Sequence, residues 1–184
     1  MGCTLSVGGN GTVYWITGLS GSGKTTIGKR LCERLREEGR TVLFLDGDVL
    51  REVFGGDLGH SREERMKSAM RNARLCRMLS DQGVDVVCAT ISMFRECREW
   101  NREHIPSYRE IYLRVPIETL IERDQKQLYS QALRGEIRNV MGVDIEIEEP
   151  ESPDVIVAND GSHAAEMVVD HVLRELKRIE CGEA

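Results

Sequence analysis

The sequence predicts an α/β protein: three layers, α/β/α, around a mainly parallel sheet. Three observations carry that expectation. Apolar runs of about five to eight residues alternate with stretches of helical spacing. A glycine-rich turn joins the first such run to the first helix. The 184 residues suffice for one substantial core, so a single domain over residues 12–184 is the simplest organisation.

The elements follow in order. "TVYWITG" (12–18) is apolar on alternate and intervening positions alike, as a strand covered on both faces is. In "KTTIGKRLCERLREEG" (24–39), Ile27, Leu31 and Leu35 share one helical face and Gly39 supplies a C-cap. "TVLFLD" (41–46) is a second strand. "SREERMKSAMRNARLCRMLSDQG" (61–83) is a polar, basic helix that ends at Gly83. "VDVVCATIS" (84–92) and "REIYLRV" (109–115) are the third and fourth strands. "ETLIERDQKQLYSQALRG" (118–135) is helix with a break, and "PDVIVAN" (153–159) is a short strand. "HAAEMVVDHVLRELKRI" (163–179) closes the chain as an amphipathic helix. The stretch 135–152 carries the turn residues and an acidic run, and reads as loop. Right-handed crossovers put helices on both faces and line up the strand C-termini along one edge.

With 40% hydrophobic and 30% charged residues and a net charge of −6, broad attraction to nucleic acid or an anionic membrane is not expected. No apolar run approaches a membrane span, and there is no secretory segment. Cys3, Cys32, Cys76, Cys88, Cys97 and Cys181 form no C-x-x-C pair, and His60, His104, His163 and His171 lack metal-ligand spacing. Reduced thiols in a cytoplasmic protein are the expectation. The opening "MGCTLS" matches an acylation pattern, with Cys3 placed for a second chain, but no Lys or Arg follows before Lys24. Residues 1–11 therefore read as a flexible leader.

The stretch "GLSGSGKTT" (18–26) satisfies G-x-x-x-x-G-K-[ST] through Gly18, Gly23, Lys24 and Thr25, after a strand and opening a helix. That narrows the fold to the P-loop NTPase type. Backbone N–H groups through Ser20, Gly21, Ser22 and Gly23 can surround phosphate oxygens at a helix N-terminus, with Thr26 completing the ATP-binding set. Lys24 reaches the β- and γ-phosphates and Thr25 offers its hydroxyl to Mg²⁺, the expected cofactor. In "VLFLDGDVLREVF" (42–54), Asp46 and Asp48 crowd the neighbouring strand end. One carboxylate can hold the cation, and the other can take the proton of an attacking hydroxyl. Arg51 and Arg65 are the cations for an anionic acceptor. Arg62, Arg71, Arg74 and Arg77 read as a solvated face. A GTPase switch is disfavoured because no Asn-Lys-x-Asp motif occurs, and intact Lys24, Thr25, Asp46 and Asp48 argue against a silent scaffold.

Taken in order, "WITGLSGSGKTTIGKRL", "LDGDVLREVF", "DLGHSREER", "TISMFRE", "ERDQKQLYSQALRGEIRNVMGVD" and "PESPDVIVAND" resemble the adenylylsulfate (APS) kinase family over about residues 12–160. The resemblance implies transfer of the ATP γ-phosphate to the ribose 3′-hydroxyl of a small anionic nucleotide. It also implies Mg²⁺, a mobile lid at about 125–142, and a homodimer. By position it makes Asp48 and Asp46 the base and metal carboxylates, and Arg51 and Arg65 the substrate clamps. Ile91 and Ser92 fall at the family's Ile-Ser-Pro turn, Lys126 at its lid lysine, and Arg123 at the arginine that packs on adenine. The departures gather on the acceptor side: Val49 for Asn, His60 for the aromatic that stacks on the acceptor base, Ser68 for Asn, Met70 for Arg and Met93 for Pro. In the lid, "DPKGLY" is "DQKQLY". These changes resemble members of the cytidine diphosphoramidate kinase kind, found with surface-polysaccharide biosynthesis. Adenylylsulfate is thus the acceptor by family resemblance, and a cytidine diphosphoramidate-like nucleotide the alternative.

Overall fold

The computed structural model describes residues 9–182. Its strands are β1 (Val13–Thr17), β2 (Val42–Asp46), β3 (Asp85–Ala89), β4 (Tyr108–Arg114) and β5 (Val155–Ala158). Its helices are α1 (Lys24–Glu37), α2 (Gly47–Val53), α3 (Arg62–Ser80), α4 (Arg95–His104), α5 (Ile117–Arg123), α6 (Leu128–Leu133) and α7 (Ala165–Glu180). The five strands are all parallel, in the order β2-β3-β1-β4-β5.

Every residue of β1 is buried, because the strand is central and helices cover both sides. The pleat sorts its side chains. Val13 and Trp15 enter the layer shared with α3 and α4, and Tyr14 and Ile16 enter the layer shared with α1 and α7. In the second layer Ile27, Leu31 and Leu35, spaced one helical turn apart, meet Val168, Val169, Val172 and Leu176. Truncating Trp15 to alanine at the centre of the first layer would cost about 3–5 kcal/mol.

Some boundaries differ from the sequence reading, each for a local reason. The helix expected over 61–83 is α3, opened by a capping box in which Ser61 and Glu64 exchange side-chain and backbone hydrogen bonds. β3 stops at Ala89, because the next residues turn inward: Thr17 Oγ1 donates to Ser92 O at 3.2 Å, and Met93 and Phe94 are buried. The segment 118–135 does contain a break, and it falls where Asp124, Lys126 and Gln127 adopt positive φ of 34°, 60° and 57°. Gly11 already belongs to the body, since its N–H donates to Ser80 O at 2.8 Å. Residues 1–8, with Cys3 and the acylation pattern, fall outside the described residues.

Cys32, Cys76, Cys88 and Cys97 are buried free thiols, and Cys181 is free and exposed. Among the described residues no helix is long and apolar enough to cross a membrane, and no group of three or more His, Cys, Asp or Glu could hold a metal ion.

Candidate active site

The C-terminal ends of β1 and β2 open onto one cleft of about 320 Å³. The loop leaving β1 is tightly folded. Gly18 has φ of 150°, and a β-carbon there would come within 2.6 Å of Leu113 O and 2.7 Å of Ser22 Oγ. Gly23 has φ of 93°, and a β-carbon would meet Asn159 Nδ2 at 2.5 Å. Only glycine meets both demands without displacing its neighbours.

The loop's carbonyls are held by side chains. Lys24 Nζ donates to Leu19 O at 2.6 Å, Tyr129 Oη to Ser20 O at 2.9 Å, Arg123 to Gly21 O at 3.3 Å, and Asn159 Nδ2 to Ser22 O at 2.8 Å. Burial lowers the Lys24 pKa to about 8, although Asp48 and Asp46 act to raise it.

At the end of β2 the two carboxylates have different local tasks. Asp46 is the N-cap of α2: its Oδ1 accepts from the Asp48 N–H at 2.9 Å, and its Oδ2 accepts from Thr25 Oγ1 at 2.6 Å. Asp48 sits in the first turn of α2, exposed, with Lys126 Nζ 3.7 Å from its Oδ2. The helix α2 was not expected from "DGD", which reads as a turn until Asp46 is recognised as a cap. Oxygen donors from a hydroxyl and a carboxylate, brought together at this spot, suit a hard divalent cation such as Mg²⁺.

Cations line the opposite side. Arg51 donates to Gly59 O at 3.0 Å, and Arg65 donates to His60 O at 2.9 Å and Asn139 O at 2.8 Å. These bonds tie Arg51 and Arg65 to the turn at Gly59 and His60, and Arg65 to the turn at Asn139. The His60 pKa is lowered, by partial burial first and then by Arg65 and Arg51, which favours a neutral ring.

Of the residues named from sequence, Ser20, Gly21, Gly23, Lys24, Thr25, Thr26, Asp46, Asp48, Arg51, His60, Arg65, Ile91 and Lys126 line this one cleft. Gly18 and the buried Ser22 frame the loop from behind. Arg123 does not line the cleft and instead ties Gly21 O to Asn159 O. Ser92 is set back from the cleft: it is fully buried, and its Oγ has no hydrogen-bond partner among the described residues. The bond from Thr17 to its carbonyl, and the burial of Met93 beside it, pull that turn into the core.

The five acceptor-side departures separate in space. His60 and Ser68 line the cleft, whereas Met93 is a fully buried core residue, Met70 packs against the same core, and Val49 points to solvent. Sequence reasoning missed Ser68's neighbours Ala69 and Thr90 in the cleft wall, and it missed the loop-holding side chains Tyr129 and Asn159. The Asn159 contact had a signal, since a polar residue directly after β5 meets the loop edge where parallel strands end.

Comparison with known proteins shows the family. The family model described as adenylylsulphate kinase matches residues 10–158. The cytidine diphosphoramidate kinase of Campylobacter jejuni is 42% identical over 167 residues, spanning 91% of this chain and 97% of that one. A probable adenylyl-sulfate kinase of Archaeoglobus fulgidus is 43% identical over 148 residues, spanning 80% and 96%. Among solved structures, the Mycobacterium tuberculosis APS kinase in complex with AMPPNP and APS matches with a TM-score of 0.85 at 30% identity, over 92% of this chain and 99% of that one. With the family model across most of its length and relatives above 40% identity, this chain belongs to the adenylylsulphate kinase family.

Proposed function

We propose that the protein is an ATP-dependent kinase that transfers the γ-phosphoryl group to the ribose 3′-hydroxyl of a small anionic nucleotide, adenylylsulfate by family likeness. The observation that carries this reading is the convergence of a phosphate-binding loop, two acids and two arginines on a single cleft. In the proposed reaction, the inward N–H groups and Lys24 take the charge of the β- and γ-phosphates. Arg51 and Arg65 hold the anionic acceptor. Asp48 accepts the hydroxyl proton as the new P–O bond forms, and the bond to the ADP oxygen breaks. Lys126, 3.7 Å from Asp48, brings the lid over that step. Thr25 and Asp46 would hold Mg²⁺, which when bound neutralises phosphate oxygens. Arg123 would border the adenine.

A second reading has specific support. The ring nearest the acceptor side is His60, not a larger aromatic, and the wall beside it is the small pair Ser68 and Ala69. The Campylobacter jejuni relative, a cytidine diphosphoramidate kinase, spans nearly the whole of both chains. Incubation with γ-labelled ATP and each nucleotide separates the two. Label on adenylylsulfate is the expected result, label on the cytidine compound alone establishes the second reading, and label on neither removes both acceptors. The proposal includes a cytoplasmic setting, supported by four buried free thiols, and a homodimer, supported by family likeness and checked by light scattering.

A further inference from the structure

The phosphate-binding loop and the lid segment are joined by a hydrogen bond that neither motif contains. Tyr129 lies in the first turn of α6, three residues after Lys126. Its ring is buried, 1% exposed, and its hydroxyl donates to Ser20 O at 2.9 Å across 109 residues of chain. Asp124 Oδ1 fixes the same residue from the other end, accepting the Tyr129 N–H at 3.0 Å and the Ser130 N–H at 3.1 Å. Burial pushes the phenol pKa up to about 12, so the hydroxyl keeps its proton and remains a donor.

A peptide unit is planar and trans, so its C=O and the following N–H point in opposite directions. Holding Ser20 O outward therefore turns the Gly21 N–H inward, and Gly21 lines the cleft. A phenylalanine would fill the same buried volume, so the hydroxyl's particular contribution is this bond.

Resting on the kinase reading, we propose that the Tyr129 hydroxyl is a positioning group for the donor nucleotide: it sets the Gly21 peptide for phosphate and ties that peptide to the helix following Lys126. Nucleotide affinity and lid placement then rise and fall together. The test is Tyr129→Phe, with melting temperature as the check on folding and Mg²⁺ with AMPPNP as the calorimetric probe. Loss of one neutral hydrogen bond predicts about a 2- to 13-fold weaker AMPPNP Kd and a similar rise in the KM for ATP, while the acceptor KM stays unchanged. A variant that binds AMPPNP as wild type does, with an unchanged KM for ATP, overturns the positioning role, whatever happens to its melting temperature. Wild-type protein that fails to bind AMPPNP overturns the kinase reading beneath it, and the two failures are distinct.

Discussion

Lys24 offers the most quantitative prediction, and the perturbation is pH. Its side chain is half-buried among the loop's backbone and its pKa is lowered to about 8. A bound triphosphate brings several negative charges to the ammonium and moves the pKa back up. Below pH of about 8 the free protein already carries the proton, so affinity is flat with respect to this group. Above it the free lysine is mostly neutral, and each binding event must take up a proton. Protonated fractions of about 0.9 at pH 7 and about 0.03 at pH 9.5 predict about a 30-fold loss of affinity across that interval. A phosphate ionisation near pH 6 is already about 90% complete at pH 7, so it changes little over the interval beside the about 30-fold effect of Lys24. Calorimetry with AMPPNP in two buffers of different ionisation enthalpy reads both quantities, affinity and proton uptake. Uptake should approach one proton per nucleotide at about pH 9. Lys24→Arg, whose charge is permanent, should bind with no such dependence. A wild-type affinity that stays level to about pH 9.5, with no proton taken up, would refute the reasoning.

Other perturbations test separate parts. Asp48→Asn should reduce turnover by about 10²–10⁴-fold while leaving the AMPPNP Kd unchanged, because the proton acceptor is lost and the loop is not; single-turnover kinetics beside calorimetry shows both. Its melting temperature should not move, since the ion pair it loses to Lys126 is largely solvent-exposed. Gln127→Gly should raise stability by about 0.5–1 kcal/mol in urea unfolding, because residue 127 has φ of 57° and ψ of 25°, where a side chain is strained. Glu148→Ala should cost about 1 kcal/mol on the same measurement. Its carboxylate caps α4 by accepting the Arg95 N–H at 2.6 Å, whereas its bond to Arg62 is exposed and adds little.

How much was legible from sequence depended on how local each feature is. The loop after β1 is written in adjacent residues, and so is Asp46 at a strand end, because backbone conformation and strand polarity fix both. The helix α4 is harder to read. Its buried residues are Cys97, Arg98 and Asn101, so no apolar stripe announces it. Arg98 is buried because Glu148 O and Glu149 O accept from it and Glu110 is 3.4 Å away, partners about fifty and twelve residues distant. The burial of Ser92 was hidden for a related reason: a motif position says where a backbone turns, and the bond that draws this turn inward comes from Thr17, 75 residues earlier. Tyr129 and Asn159 reach the loop across 109 and 137 residues, and no spacing rule spans such gaps.

One side chain at the end of β2 has consequences beyond its own charge. Because Asp46 grips Thr25 with one oxygen and starts α2 with the other, the two ends of the proposed chemistry are measured off a single carboxylate. The backbone of the proposed proton acceptor is thereby held at a set gauge from the proposed cation seat, and the Asp48 side chain reaches out from it, exposed. Loop drift on the acceptor side can widen or narrow what enters, and this gauge stays the same. A lineage could change its alcohol substrate many times by editing positions such as 60 and 68 without recalibrating the transfer step.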